Sequence, residues 1–262
     1  MKVSLIIPCF KRPNLLRLGL WSIAQQDISY PFEVIVLNDG IEDDTKKVCE
    51  EYKDKLDIKY IFTGQRNLKT LKIRCPAFAY NIGIKQAKGD IIILSSPEIF
   101  HLNNNIDLIV KSIIQNPKLL SSPENVYIDT IGKAKDYLLK IQTSTLSKDI
   151  ISSLESNTKR CRYARKIPCF MGIMKKELIN IGAYDEDFTG YAGEDDDLIW
   201  RLRLNGLNFN FCNGGKIIHL YHDKCINKQD LNSNKDYLYN LKLLRERRGT
   251  IKRNVGKDWG KL

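Results

Sequence analysis

Apolar runs alternate with amphipathic segments along the first part of the chain. Continuous apolar runs cover residues 3–7, 32–37, 58–62 and 90–94. Between them, apolar residues recur at helical spacing, beginning after Pro13. Strands that are apolar on both faces are typical of a parallel sheet covered by helices. The alternation predicts a single α/β domain with a mostly parallel central sheet flanked by helices.

The pattern is weaker after residue 118 and becomes clear again near residue 169. Short strands are predicted at 126–128, 169–174, 209–212 and 216–220, short helices at 133–146 and 150–154, and longer helices at 102–116 and 196–204. The cation-rich run 159–166 is interpreted as a solvated loop, with a groove for an anionic partner as the alternative. One domain is therefore predicted over residues 1–223, followed by a basic extension, 224–262, that is packed on the domain or trails from it.

Composition narrows the class of protein. The apolar fraction is 43%, which is ordinary for a globular chain, and no apolar run approaches the length of a transmembrane helix. The net charge is 42 − 31 = +11, which suits a phosphate-bearing partner or an anionic membrane surface, although a lysine-rich proteome explains it equally well. Seven cysteines without a C-x-x-C pair favour reduced thiols. We therefore expect a cytoplasmic protein, with peripheral membrane contact left open.

Polar residues follow the predicted strands at their carboxyl ends. Phe10 and Arg12 follow the first strand, and Asp39 follows the second. Because parallel sheets bind ligands at this edge, these residues suit a nucleobase, a pyrophosphate and a ribose. For Asp39 a simple turn with Gly40 is the alternative.

The fourth strand runs into Ser96-Pro97-Glu98. A carboxylate at this position is a candidate metal ligand. A helix start is the alternative, with Ser96 as N-cap and Pro97 at the first helical position.

An acidic run and two histidines carry the rest of the candidate chemistry. Residues 194–197 are four consecutive acids behind Gly190 and Gly193, and His219-x-x-His222 follows. The acids could simply stabilise a helix N-terminus. The two histidine side chains would point to opposite faces of an extended strand, so they need a turn to meet at one metal ion.

These pieces together resemble the GT-A-fold inverting glycosyltransferases of family 2, from residue 3 to about residue 223. The matching pieces are Ser4-Leu5-Ile6-Ile7-Pro8, residues 34–40, Ala79-Tyr80-Asn81-Ile82-Gly83-Ile84 with Gly89-Asp90, and Gly193-Glu194-Asp195 followed by Arg201-Leu202. The GEDDD run and the HxxH that follows it are similar to the β-1,4-galactosyltransferase group.

The resemblance implies transfer of a sugar, with inversion, from a nucleotide sugar, UDP-sugar first, to a saccharide, glycolipid or protein-linked hydroxyl. It implies a nucleotide-binding half, 1–100, and an acceptor and catalytic half, 101–223. Asp195 would be the base and Glu194 its positioning partner. Mn²⁺ or Mg²⁺ would be held by Glu98, His219 and His222. The nucleotide would contact Pro8, Cys9, Phe10, Arg12, Asp39, Arg74, Asn81 and Ser96.

One departure from the family pattern affects the metal. The usual D-x-D is replaced by Ser96-Pro97-Glu98, and Asn38 replaces the first of two acids. Glu98 can still bind Mn²⁺ or Mg²⁺. The alternative is a site poor in metal, in which basic residues neutralise the pyrophosphate.

Two other functions compete with transfer. The first is a nucleotide-sugar-binding or nucleic-acid-binding protein without transferase activity; the second is a nucleotidyltransferase. The chain lacks the aromatic-interleaved basic motif of an RNA-binding sheet, so nucleic acid is not an expected partner. Residues 8–13 contain no glycine, whereas a nucleotidyltransferase would need a glycine-rich loop there.

Overall fold

A computed structural model describes residues 1–64, 75–141, 145–162, 169–223 and 232–262. Arg74, expected beside the nucleotide, lies outside the described residues.

The first part of the chain builds a parallel sheet. Its strands are β1 (Val3–Cys9), β2 (Phe32–Asn38), β3 (Ile58–Phe62) and β4 (Ile91–Ser95), and its helices are α1 (Pro13–Ala24), α2 (Thr45–Tyr52) and α3 (Ala77–Gln86). The strands lie in the order β3-β2-β1-β4, and each neighbouring pair is parallel. The predicted α/β domain is confirmed in this region, strand by strand.

The second part continues the same sheet with mixed directions. It contains β5 (Ile99–His101), α4 (Asn105–Gln115), β6 (Leu119–Ile128), α5 (Lys133–Ile141), α6 (Lys148–Ser156), β7 (Lys159–Arg162), β8 (Phe170–Met174), α7 (Lys175–Asn180), α8 (Glu194–Leu204), β9 (Asn208–His219) and α9 (Lys235–Glu246). β8 is antiparallel to both β4 and β6, whereas β9 is parallel to β6 and antiparallel to β5. A strand buried on both faces has the same apolar pattern in either direction, so its direction was not predictable from hydropathy.

Helices cover both faces of the sheet. The larger apolar cluster packs α1, α2 and α4 on one face, and the smaller one packs α3, α7 and α8 on the other. Two-sided burial explains why the central strands are apolar throughout.

Two segments differ from their predictions. The stretches 209–212 and 216–220 were expected to be separate strands, but β9 runs through both and pairs with β6 past an irregularity at Pro123/Asn125. The cation-rich run was expected to be a loop, but its first four residues form β7, which pairs with the edge of β6. The pairing with β6 keeps residues 159–162 extended, and the side chain of Arg160 adds two hydrogen bonds to Oδ1 of Asn125 on that strand.

The described part of the C-terminal extension packs on the domain. Trp200 on α8 donates to the carbonyl of Arg248, and the backbone N–H of Arg253 donates to Ile181. Asn254 donates to the carbonyls of Gly182 and Tyr184. None of the helices in the described ranges combines the length and apolar character needed to cross a bilayer.

Candidate active site

One cavity of about 460 Å³ opens at the carboxyl ends of β1, β2 and β4. These strands are parallel, so their ends meet at one edge of the sheet, where α/β proteins bind ligands. The cavity is lined by Pro8, Cys9, Phe10, Arg12, Asp39, Pro76, Tyr80, Ser96, Pro97, Glu98, Cys169, residues 190–196 and His222.

Glu98, His219 and His222 come together at this edge, although they are far apart in sequence. Ile99 pairs with His219 across β5 and β9, which places Glu98 beside the end of β9. The chain leaves the strand after His219, so His222 returns to the same side. The Nε2 atoms of the two histidines each lie 3.7 Å from Oε1 of Glu98. The turn that the HxxH pair needed is therefore present.

The electrostatics of Glu98 suit a bound cation. Burial raises its pKa, but the charges of Arg12, His219 and His222 outweigh burial and hold the pKa below its usual value. Arg12 Nη1 lies 3.1 Å from Glu98 Oε2. Glu98 is therefore an anion that cationic neighbours already stabilise.

The acid pair stands at the start of α8. Gly193 is the N-cap with φ 99°, and Glu194 and Asp195 follow in the first turn, facing the cavity. The hydroxyl of Tyr184 donates to Oδ1 of Asp195 across 3.0 Å. Glu194 and Asp195 are therefore first-turn residues of α8 and cavity-lining residues at the same time.

Glu194 has an unusual environment. It is 8% exposed, and among the described residues its Oε2 finds no hydrogen-bond partner. Burial, with the negative charge of Asp196 adding to it, raises the pKa of Glu194 to about 7. Glu194 can therefore change protonation state near neutral pH.

Most of the predicted site residues line the cavity; among those in the described ranges, Asn81 and His219 do not. The cavity includes Asp39, whose carboxylate accepts a bond of 2.7 Å from Thr63, and Ser96, whose buried hydroxyl has no partner among the described residues. Asn81 was expected beside the nucleotide, but it does not line the cavity. Its amide group bonds to Tyr184 and Glu186 instead, so it supports the segment before the acid pair.

A loop held by α9 forms one wall of the cavity, and sequence reasoning missed its support. Gly190 has φ 56°, and a Cβ there would lie 2.2 Å from the Asp236 carboxylate. The side chain of Asn240, 1% exposed, donates to the carbonyls of Thr189, Tyr191 and Ala192. No local pattern marks Asn240 for this role, because its partners lie about 50 residues earlier.

A buried charge network connects the C-terminal segment to α8. Asp197 binds Arg201 at 2.6 Å and Arg253 at 2.7 Å, and Arg253 also lies 3.0 Å from Asp185. All four side chains are at most 3% exposed. Asp197, the last of the four acids, therefore stabilises the packing of α8 and the C-terminal segment.

Replacing Arg253 with methionine is expected to lower the free energy of unfolding by about 3 kcal/mol, because Asp185 and Asp197 would keep their buried charges with fewer partners. Equilibrium urea denaturation measures the change. The matched control is Lys242→Met, which removes an exposed ion pair to Glu246 and should cost under about 1 kcal/mol. Equal losses for the two variants would contradict the structural role of the network.

Two family profiles match the chain. The profile described as glycosyl transferase family 2 covers residues 4–182, and the profile described as N-terminal domain of galactosyltransferase covers residues 149–223. The two matches overlap at residues 149–182, which include β7, β8 and α7. Both resemblances derived from the sequence are confirmed at the level of family, whereas the specific GEDDD and HxxH correspondence stays a prediction.

Individual proteins with similar sequence or structure agree with these profiles. Chondroitin synthase from Pasteurella multocida (strain Pm70) is 25% identical over 269 residues, covering 94% of this chain and 27% of the relative. S. aureus TarS 1–349 in complex with UDP aligns with TM-score 0.60 and 18% identity, over 98% of this chain and 69% of that chain. GalNAc-T7 with UDP, GalNAc and Mn²⁺ aligns with TM-score 0.64 and 15% identity, over 94% and 48%. The structural likenesses establish a GT-A-like fold.

The chain spans between a quarter and about a third of the length of the first curated relatives, at 27%, 25% and 34%. The relatives therefore contain much more protein than the part that aligns here.

Proposed function

Because the chain belongs to glycosyl transferase family 2, we propose that it moves a sugar from a nucleotide sugar to a hydroxyl acceptor by a single displacement that inverts the anomeric centre. One observation carries the proposal: the acid pair of α8 and the Glu98–His222 set face the same cavity at the sheet edge. We extend this to a UDP-sugar donor, since TarS and GalNAc-T7 both bind UDP. The similarity to chondroitin synthase supports polysaccharide synthesis as the setting.

The three-residue set fits a divalent cation. Its ligand atoms all lie within 4.8 Å of one another. Ligands at about 2.1 Å from one ion are separated by up to about 4.2 Å, so side-chain shifts of less than about 1 Å bring the set to coordinating distance. Two imidazoles and one carboxylate suit Mn²⁺ better than Mg²⁺, which prefers an all-oxygen shell. A bound Mn²⁺ would supply positive charge that stabilises the leaving diphosphate.

The nucleotide side of the cavity is formed by the strand ends. Phe10 offers an aromatic face, Asp39 a carboxylate held by Thr63, and Ser96 a buried hydroxyl. An aromatic ring suits stacking of a base, and the carboxylate suits an N–H or a ribose hydroxyl. Arg12, between this side and Glu98, is placed to bind phosphate oxygens.

Displacement needs a base on the opposite side of the sugar from the diphosphate. Asp195 meets this need as a carboxylate at the cavity wall, oriented by Tyr184. It takes the proton of the acceptor hydroxyl as that oxygen attacks the anomeric carbon and the bond to the diphosphate breaks. Glu194 positions a sugar hydroxyl through Oε2, which has no hydrogen-bond partner among the described residues.

An adjoining cavity of about 460 Å³ shares Arg12 and His222 with the first. Lys135 and Leu139 of α5 line it. It extends the site toward the segment 120–168, from which the sequence predicted that the acceptor pocket would draw.

A panel of nucleotide sugars tests the proposed function. At least one UDP-sugar is expected to release UDP in the presence of acceptor saccharides, with Mn²⁺ supporting a rate roughly tenfold higher than Mg²⁺. Released nucleoside diphosphate is the readout, and the same panel without protein is the control. Absence of release from every nucleotide sugar, alongside salt-sensitive RNA binding, would contradict transferase activity and support the binding-protein alternative.

A further inference from the structure

A buried tyrosine holds the proposed base. The side chain of Tyr184 is 0% exposed, and its hydroxyl is the donor to Oδ1 of Asp195 at 3.0 Å. We propose that Tyr184 is a positioning residue that fixes the rotamer of the Asp195 carboxylate toward the acceptor hydroxyl, an inference that rests on the proposed function for the reaction it serves.

Tyr184 is itself rigidly placed. Its ring stacks on the ring of Tyr80, with centroids 5.0 Å apart and planes 11° from parallel. Its backbone N–H donates to Asn81, and its carbonyl accepts from Asn81 and Asn254. A hydroxyl held by ring packing and by three main-chain hydrogen bonds can dictate the direction of the group that it binds.

The stacked pair also joins the base to the metal side of the site. The hydroxyl of Tyr80 donates to the carbonyl of Ser95 across 2.7 Å, and Ser95 is the last residue of β4. Glu98 follows three residues later. The two tyrosines therefore connect the helix that carries Asp195 with the strand end that carries Glu98, and they set the separation between base and diphosphate site.

Asp195 needs such a restraint. It is partly exposed and lies in the first turn of α8, behind a loop whose residues 190, 192 and 193 all have positive φ. An aspartate in that position has several rotamers, and a base that is displaced by about 1 Å can lose about 10²-fold in rate. The hydrogen bond from Tyr184 favours the rotamers that keep Oδ1 of Asp195 within reach of the Tyr184 hydroxyl.

The surroundings keep Tyr184 in its donor form. Burial, together with the negative charge of Asp195, raises the pKa of Tyr184 well above its usual value. Among the described residues, Tyr80 and Cys75 also face Asp195, and burial raises the pKa of both. Glu194 and Asp196 flank Asp195 on its own helix. A neutral phenol that donates to a carboxylate favours the charged form of the carboxylate, which is the form that acts as a base.

Tyr184→Phe tests the proposal, since phenylalanine keeps the stacked ring and removes only the hydroxyl. With the donor and acceptor found in the panel, we expect kcat to fall about 10- to 100-fold while the donor KM changes less than about twofold. The acidic limb of the pH–kcat profile should move to higher pH, because a hydrogen bond to the charged carboxylate is lost. Tyr52→Phe, at a buried tyrosine of α2, is the matched control and should leave kcat, KM and the limb unchanged.

Crystal structures of wild type and Tyr184→Phe give a readout that does not depend on activity. The Asp195 carboxylate is expected to leave its wild-type rotamer in the variant. An unchanged rotamer, or a kcat and acidic limb equal to those of wild type, would overturn the positioning role. A wild-type protein that transfers no sugar would overturn the proposed function instead, and the rotamer comparison would still decide whether Tyr184 orients Asp195.

Discussion

Replacing Asp195 with asparagine is expected to lower kcat by about 10³-fold, with little change in the donor KM, within the range that a general base contributes. Asparagine keeps the shape of the side chain, and its amide oxygen can still accept the hydrogen bond from Tyr184. The asparagine amide is too weak a base to take the proton from the hydroxyl of the acceptor sugar. Steady-state release of nucleoside diphosphate, with acceptor present, measures the change.

Glu194→Gln is the matched control, since the two acids are neighbours at the same cavity wall. We expect a loss of about tenfold, as for a residue that positions a hydroxyl. Because the pKa of Glu194 is raised to about 7, the carboxyl is protonated below that pH, and glutamine should resemble wild type more closely at pH 6 than at pH 8. If Glu194→Gln loses about 10³-fold and Asp195→Asn keeps wild-type release, the base is Glu194.

Replacing Glu98 with glutamine is expected to weaken Mn²⁺ binding by about 100-fold or more, because the only carboxylate of the three-residue set loses its charge. Removing the metal from the wild-type protein with a chelator should lower the rate of sugar transfer, and added Mn²⁺ should restore that rate. Titration calorimetry with Mn²⁺ measures the affinity, and diphosphate release measures the activity.

The control for this prediction is Glu155→Gln, a partly exposed glutamate paired with Lys216. It should bind Mn²⁺ as wild type does. If transfer continues at the wild-type rate after chelation, the result would support the alternative of a site poor in metal, in which basic residues neutralise the diphosphate. In that case Arg12, 3.1 Å from Glu98, neutralises the diphosphate without a metal ion.

The fold was predictable where burial is symmetrical. Strands β1, β2 and β4 were found from continuous apolar runs, which are typical of strands covered on both faces. The direction of β8 and the length of β9 were not predictable, because hydropathy does not report strand direction and a glycine pair can lie inside a strand as well as in a turn. The strand β7 was missed because cationic side chains on an edge strand have the same composition as those in a loop.

The candidate site was predictable where the chemistry sits in short local motifs. The acid pair, Glu98 and the two histidines were singled out from residue type and position, and the structure brings them to one edge of the sheet. Their roles stay predictions. Asn81 was misplaced, since an asparagine on a helix near the sheet edge can face the cavity or the neighbouring segment, and only the packing of α3 against Tyr184 decides this. Tyr184 and Asn240 were missed because each acts through tertiary hydrogen bonds that no sequence spacing predicts.

The sequence by itself determined the apolar strands, the strand-end residues and the composition of the stretch from Gly190 to His222. These properties are local, so physical chemistry can be applied to them residue by residue. Only the tertiary structure decided which of the four acids faces the cavity and which is buried in a charge network. It also decided that His219 and His222 meet Glu98, which lies more than a hundred residues earlier. Finally, it decided that α9 holds the loop 189–192 in front of the acid pair. Each of these depends on contacts between distant segments, and such contacts form only when the whole sheet and both helical layers are packed.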